Sequence, residues 1–359
     1  MVDYEALEAA GITDARKRAE LITYLDLLGF TAEEMVDAER RGRLFGLAGD
    51  AIRRTGRPAY SLRTAADTLG LPLDEVTRSW ATLGLSSIGP DHVALSQEDV
   101  DALATCADMT VLMGDDTAGL LRLIGSAMAR LAEAETTVLR SSRPDFWITR
   151  SRDELTTARA WRELAELIPR VGSLIDVVHR HQLTRPNLFT SVVSNPSARV
   201  ECGVGFADLS GFTALTHVLS HAELSTLLNG FSAAVTDIVR ADDGRLVKFI
   251  GDAMMWVSST PERLAQTAAD LVEDPRTQEA GLQIRAGLAY GPVLAVSGDY
   301  FGDAVNLAAR LVVAASPGQI LAASDVRDAL PDWPAIAQDP LVLKGFDAPV
   351  TAYDLHGGR

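Results

Sequence analysis

The aspartate Asp208 ends a predicted strand and is followed by the short turn Leu209-Ser210-Gly211-Phe212-Thr213. Main-chain N–H groups of a small, glycine-containing turn can bind an anion. A carboxylate beside them can hold Mg²⁺ that bridges to phosphate oxygens. Taken alone, the segment is more simply explained as an ordinary strand-to-helix turn, because short motifs recur by chance.

A second aspartate, Asp252, lies at the turn of a predicted hairpin, in Lys248-Phe249-Ile250-Gly251-Asp252. Two carboxylates that share two Mg²⁺ ions can activate a hydroxyl group and neutralise a leaving polyphosphate together. The chain has only three lysines, Lys17, Lys248 and Lys344. An ammonium group on an apolar strand is poorly placed for solubility alone, so Lys248 is a candidate binding residue. Turns also favour Asp and Gly for conformational reasons, which leaves a purely structural interpretation open.

A third polar group is predicted on a helix that follows Asp299-Tyr300-Phe301-Gly302-Asp303. Asn306 and Arg310 are four residues apart, so both project from one face of that helix. An amide and a guanidinium side by side suit a ribose or a phosphate better than a protein core. The alternative is that Asp303 caps the helix and Arg310 is a solvated surface residue.

The second half of the chain must position these residues, and its strand and helix patterns alternate. The periodicity predicts strand, helix, hairpin, helix, strand and helix, followed by three short strands, of which the middle one is Leu341–Leu343. This order predicts an α+β domain with helices on one face of a mostly antiparallel sheet. We assign this domain to residues 200–359.

The first half of the chain is predicted to be helical. We assign residues 1–150 to an all-α domain and residues 151–199 to a linker helix and connector. A predicted amphipathic helix over 153–181 contains Pro169, which should kink or split it. Apolar residues also recur at helical spacing over residues 4–28, 32–55 and 116–136.

In this order and on these elements, the motifs and the late Lys344 together resemble the catalytic domain of the class III nucleotide cyclases. The resemblance covers roughly residues 200–356 and implies a ferredoxin-like α+β catalytic domain. The first half of the chain is similar to the helical N-terminal domain of bacterial holoenzyme cyclases, which restrains the catalytic domain. The resemblance therefore implies an adenylyl cyclase with an autoinhibitory, regulatory N-terminal domain.

The resemblance also implies a role for each motif residue. Asp208, Asp252 and Leu209 would bind two Mg²⁺ or Mn²⁺ ions per site. Asn306 would position the ribose, and Arg310 would stabilise the transition state. Substrate contacts would come from Lys248, Asp299, Lys344, Phe212 and Thr213.

The pair Lys248 and Asp299 indicates ATP as the substrate. A lysine can donate to adenine N1, and an aspartate can accept from the exocyclic amine, whereas guanylyl relatives typically carry Glu and Cys there. The expected reaction converts ATP to 3′,5′-cyclic AMP and pyrophosphate by intramolecular phosphoryl transfer. A guanylyl cyclase is the alternative within the family.

The spacing of these residues also predicts a homodimer. Lys248 and Asp252 are four residues apart, yet their expected roles lie at opposite ends of one nucleotide. A two-fold dimer resolves this if each site takes Asp208 and Asp252 from one chain and the remaining residues from its partner.

Residues Tyr60 to Trp80 resemble a helix-turn-helix of the MerR type, so DNA binding is a second hypothesis. Between Arg57 and Leu85, however, the charges of three arginines are balanced by those of three acidic residues. Because phosphate charge dominates DNA affinity, we favour a protein contact and expect no nucleic-acid binding. The alternative function is a DNA-binding regulator with a degenerate cyclase-like sensor domain, which is disfavoured because every proposed catalytic position is filled.

Two regulatory hypotheses concern the N-terminal half and its junction. His179 and His181 lie near the junction, and His217 and His221 follow the first motif, so a response to pH is one hypothesis. Ordinary surface histidines are an equally good explanation. The apolar helices could also enclose a fatty acid, with only their composition in support.

The composition excludes several classes of protein. With 33 Lys+Arg and 49 Asp+Glu among 359 residues, the net charge of −16 argues against a general nucleic-acid-binding surface. Two cysteines, Cys106 and Cys202, exclude a disulfide scaffold and a multi-Cys zinc site. Neither a membrane-spanning run nor a signal-peptide pattern is evident, so we expect a cytoplasmic protein.

Overall fold

The computed structural model describes residues 2–142, 153–184, 199–279 and 281–357. The chain forms two compact units, Met1–Arg185 and Pro186–Arg359. Each unit has its own apolar clusters, two in the first unit and two in the second within the described residues.

The described part of the first unit is helical. Its helices are α1 (Tyr4–Ala10), α2 (Ala19–Leu27), α3 (Ala32–Arg40), α4 (Leu47–Arg53), α5 (Leu62–Leu69), α6 (Leu73–Thr82), α7 (Gln97–Met113), α8 (Thr117–Ser142), α9 (Glu154–Ala165) and α10 (Leu167–Thr184). The predicted helices over 4–28 and 32–55 are each interrupted. Left-handed backbone at Gly11 (φ 117°) and Asp14 (φ 52°) separates α1 from α2. Left-handed backbone at Gly42 (φ 65°), just after the end of α3, interrupts the second.

Pro169 lies in the first turn of α10, where a missing N–H removes no helical hydrogen bond. The helix breaks at Glu166, between α9 and α10, so the predicted helix over 153–181 is split in two. None of the described residues of α10 is buried, although its sequence is amphipathic.

Helices α5 and α6 form the helix-turn-helix, with Gly70 (φ 66°) at the end of α5. Its arginines are engaged with acidic partners: Arg78 pairs with Asp74 at 3.0 Å, and Arg63 pairs with Asp91 at 2.6 Å. Both pairs are exposed. They reduce the positive charge that this segment could offer to a phosphate backbone.

The described part of the second unit forms one mixed sheet with helices around it. Its elements are β1 (Arg199–Ser210), α11 (Phe212–Thr216), α12 (His221–Ala241), β2 (Arg245–Ile250), β3 (Ala253–Ser258), α13 (Pro261–Val272), α14 (Pro275–Glu279), β4 (Gln283–Val296), β5 (Asp299–Phe301), α15 (Asp303–Ala314), β6 (Ile320–Ala323), α16 (Ser324–Ala329), β7 (Ile336–Ala337) and β8 (Ala352–Asp354).

The strand order is β2-β3-β1-β4-β6-β8-β7, and β5 pairs with β4. Every pairing is antiparallel except β4 with β6, as the α+β prediction requires. The expected strand at Leu341–Leu343 is wrong: a single bridge joins Leu341 to Val350.

Helices cover both faces of the sheet, so the expectation of one covered face is wrong. Ala207 and Leu209 of β1 pack with α12 and α13, whereas Val204 and Phe206 pack with α15. Successive strand residues point to opposite faces, and here both sets are apolar. A strand that is apolar on both faces requires a cover on each.

Among the described helices, none combines the length and the apolar composition that a bilayer crossing needs.

Gly287 on β4 allows α15 to lie against the sheet. A Cβ atom there would be 2.3 Å from the Val312 nitrogen and 2.4 Å from the Ala308 oxygen. Both are main-chain atoms of α15, so the contact cannot be relieved by a side-chain rotation.

We expect Gly287→Ala to lower the free energy of unfolding by about 1–3 kcal/mol, the usual cost of overpacking. Gly230→Ala in α12 is the matched control, because a Cβ there would meet no atom within 4 Å. That variant should gain about 0.5–1 kcal/mol from helix propensity. Urea unfolding of both variants measures the difference, and equal stabilities would contradict the proposed close packing.

Candidate active site

The structure brings Asp208 and Asp252 together at one end of β1. Asp208 on β1 is paired with Ala253 on β3. Asp252 immediately precedes Ala253 and therefore lies next to Asp208. Both residues are partly buried. The pKa of Asp252 is raised above its ordinary value, chiefly by burial and further by the charge of Asp208, while Arg285 acts in the opposite direction.

Sequence reasoning missed a third member of this cluster, Arg285. Its Nε and Nη2 donate to Oδ2 of Asp208 at 3.1 and 2.5 Å. The register between β1 and β4 pairs the two residues directly. The available signal was a lone arginine within the otherwise apolar stretch Ile284–Tyr290, but it does not identify the partner.

Two carboxylates fit a divalent ion that completes its shell with other oxygens. In the described ranges, no group of three or more His, Cys, Asp and Glu side chains is placed to hold a metal. Mg²⁺ keeps several waters and commonly uses one or two carboxylates together with substrate phosphates. The Leu209 side chain is buried in the core, so only its main-chain carbonyl could contribute.

The turn after Asp208 leads directly into α11. Gly211 has φ 83°, a left-handed conformation that glycine adopts without strain. Phe212 packs against the core from the first position of α11, and Thr213 follows in the same helix. The turn therefore places the main chain of these residues directly after Asp208 in the chain.

A second cluster joins two strands that are distant in the sequence. Lys248 on β2 forms an ion pair with Oδ2 of Asp299 on β5. Their side chains are 36% and 30% exposed, so the pair is accessible at the surface. The main-chain N–H of Tyr300 donates to Oδ1 of Asp299 at 2.9 Å and so orients that carboxylate.

The remaining predicted site residues point into solvent. Asn306 and Arg310 lie on the outer face of α15, opposite Ala304, Ala308 and Leu311, which pack on the sheet. Lys344 is exposed in the turn between Leu341 and Val350, the two residues of the bridge. These three side chains contribute to neither cluster within one chain.

Two family models match the chain, one over each half. The model of the adenylate and guanylate cyclase catalytic domain matches residues 195–357. The model of the adenylate cyclase regulatory domain matches residues 4–186.

Similar proteins match along most of the chain. An uncharacterized protein of Mycobacterium tuberculosis is 63% identical over 357 residues, covering 99% of this chain and 94% of that protein. An adenylate cyclase of Streptomyces coelicolor is 32% identical, covering 78% of this chain and 72% of that protein. A pH-sensitive adenylate cyclase of M. tuberculosis is 31% identical, covering 80% and 78%.

We expect Asp252→Asn to raise the melting temperature at neutral pH in a chelating buffer. The raised pKa means that the ionised carboxylate of Asp252 disfavours the folded state there. The gain should shrink as the pH falls through the raised pKa of the folded state and should be nearly gone below about 4, the ordinary range of a carboxyl group, because Asp252 is then protonated in both states. Thermal unfolding across this pH range measures it, with the exposed Asp328→Asn as control; a pH-independent difference would contradict the interpretation.

Proposed function

Because the chain belongs to the adenylate and guanylate cyclase family, with an adenylate cyclase regulatory domain before its catalytic domain, we propose that it converts ATP to 3′,5′-cyclic AMP and pyrophosphate. The observation that carries the choice of ATP is the ion pair between Lys248 and Asp299. It places a donor and an acceptor side by side at an accessible surface.

The chemistry of this pair matches the edge of adenine. The ammonium group of Lys248 can donate to N1, and Asp299 can accept from the exocyclic amine, since each carboxylate oxygen accepts more than one hydrogen bond. Guanine reverses this pattern of donors and acceptors. Bound GTP would leave these groups unpaired, which supports discrimination between the two purines.

Asp208 and Asp252 provide the carboxylates for the reacting end of the nucleotide. When bound there, Mg²⁺ or Mn²⁺ would help to ionise the ribose 3′-hydroxyl and to neutralise the leaving pyrophosphate. Arg310 would offset the charge that develops around the α-phosphorus, and Lys344 would hold the terminal phosphates. Asn306 would orient the ribose, and the turn at Phe212 and Thr213 would bind phosphate through its main chain.

We propose that the complete site forms between two chains. Asn306 and Arg310 are exposed on α15 and join neither cluster of their own chain. A two-fold dimer would bring α15 of one protomer to the carboxylates of its partner.

Helix α10 supports a dimer independently. Its apolar residues Leu167, Val171, Leu174 and Val178 recur at alternating spacings of four and three, and Leu174 is 59% exposed. Valine and leucine in this alternation favour two parallel helices. A second copy of α10 is a suitable partner for the exposed face.

We further propose that the N-terminal unit regulates catalysis and that the enzyme is cytoplasmic. Both cysteines, Cys106 and Cys202, are buried free thiols, as suits a reducing compartment. The similarity to a pH-sensitive cyclase supports a response to protons, and His179 and His181 are exposed on α10. A response to fatty acids and the absence of nucleic-acid binding stay predictions.

The purified chain should form cyclic AMP from ATP with Mg²⁺ or Mn²⁺, and Lys248→Glu combined with Asp299→Cys should shift its preference towards GTP. We expect the ratio of kcat/KM for ATP to that for GTP to fall by about tenfold or more. Lys17→Glu with Asp14→Cys is the matched control, because these residues form an exposed ion pair in the first unit. Preferential formation of cyclic GMP by the unaltered chain would contradict the proposal.

Mixing inactive Asp208→Ala and Arg310→Ala chains should restore activity. Random exchange makes half of the dimers mixed, with one intact site in each, so recovery should approach about one quarter of the unaltered activity. A mixture of Asp208→Ala and Asp252→Ala is the control, because both changes fall in the same half-site and no intact site forms. If subunit exchange is demonstrated by differently tagged chains and no activity returns, the sites are not composite.

A further inference from the structure

The side chain of Arg285 touches two parts of the catalytic unit at once. Nε and Nη2 bind Oδ2 of Asp208, and Nη1 donates to the main-chain oxygens of Val313 and Ala315 at 3.3 Å each. The guanidinium is partly buried, with 27% of the side chain exposed. One planar group therefore bridges the end of β1 and the end of α15.

Each half of this bridge has a physical function. The last carbonyl groups of a helix lack intrahelical donors, so a cation at the C-terminal end of α15 satisfies them and complements the helix dipole. On the other side, both bonds to Asp208 go to Oδ2. The carboxylate is thereby held in one orientation, with Oδ1 left out of the contact with Arg285.

In the proposed dimer, these two ends serve different sites. Asp208 would hold metal in one site, whereas α15 of the same chain would carry Asn306 and Arg310 to the other. We propose that Arg285 is a positioning residue that orients Asp208 and couples the two composite sites through α15. This inference rests on the proposed function, because only composite sites separate Asp208 from α15 of its own chain.

The coupling follows from the shape of the guanidinium. Its donors diverge in a rigid plane, so a movement of Asp208 is transmitted to the contacts with Val313 and Ala315. A lysine could keep the positive charge beside Asp208, but its single ammonium group cannot span both ends. Arg285→Lys therefore separates the charge from the bridge, and Arg285→Met removes both.

The first test measures Mn²⁺ binding to the nucleotide-free full chain by electron paramagnetic resonance. Loss of a residue that orients a metal ligand typically weakens binding by about 10–100-fold, so we expect a loss in this range for Arg285→Met and a smaller one for Arg285→Lys. Unchanged or tighter binding in Arg285→Met would overturn the positioning role, because Arg285 would then not orient the metal ligand or would act only as a competing cation. Thermal unfolding confirms that each variant is folded.

The second test measures coupling by calorimetry with 3′-deoxy-ATP, which lacks the hydroxyl needed for cyclisation. In the unaltered dimer, we expect two binding steps whose affinities differ by about fivefold or more beyond the statistical factor. In Arg285→Lys, the two steps should become equivalent. Arg327→Lys is the matched control, because Arg327 also donates to main-chain oxygens, those of Leu330 and Trp333, and should keep the unaltered ratio.

Equivalent steps in the unaltered dimer, or unequal steps that persist in Arg285→Lys, would overturn the coupling. A parallel assay of cyclic AMP on the same preparation separates the two proposals. If cyclic AMP forms while either of these results is found, only the inference about Arg285 fails. If no cyclic AMP forms, the proposed function fails and the inference fails with it.

Discussion

The candidate site of the second unit depends on two carboxylates that lie beside each other at the end of β1. Asp208 and Asp252 repel each other and are partly withdrawn from water, and Arg285 supplies a single compensating charge. Pairing of β1 with β4 places Arg285 opposite Asp208, and pairing of β1 with β3 places Ala253, the residue after Asp252, on its other side. The cluster has two negative charges and one fixed positive charge, so it favours the binding of a further cation. A site that binds a metal ion together with a polyphosphate needs this property.

A second constraint is the packing of α15. Its small inner residues and Gly287 allow the helix backbone to approach the sheet closely, which leaves its polar residues on the outside. Asn306 and Arg310 therefore lie on the exposed side of a helix that packs closely on the sheet. In the proposed dimer, one chain would present the two halves of a site on separate surfaces, and its partner would supply the missing half of each.

The first unit contains a helix, α10, whose apolar face is exposed. Helix α10 is amphipathic, yet none of its described residues is buried, so its apolar face is not satisfied within the unit. It is also the last described helix before β1 in the chain. In the proposed dimer, a helix with an exposed apolar face at this point of the sequence would pair with its copy and could pass that change on to the catalytic unit.

Short-range patterns in the sequence predict several local elements and a set of candidate site residues. Helix α13 and the hairpin of β2 and β3 follow from apolar periodicity, from Pro261 at a helix start and from the Gly251-Asp252 turn, all of which act over a few residues. The candidate residues lie in short, contiguous motifs, which a sequence shows directly. The cover of helices on both faces of the sheet and the contact of Arg285 with Asp208, which lies 77 residues away, are visible only in the folded chain. Strand register brings such pairs together, and register depends on the packing of the whole sheet rather than on any local pattern.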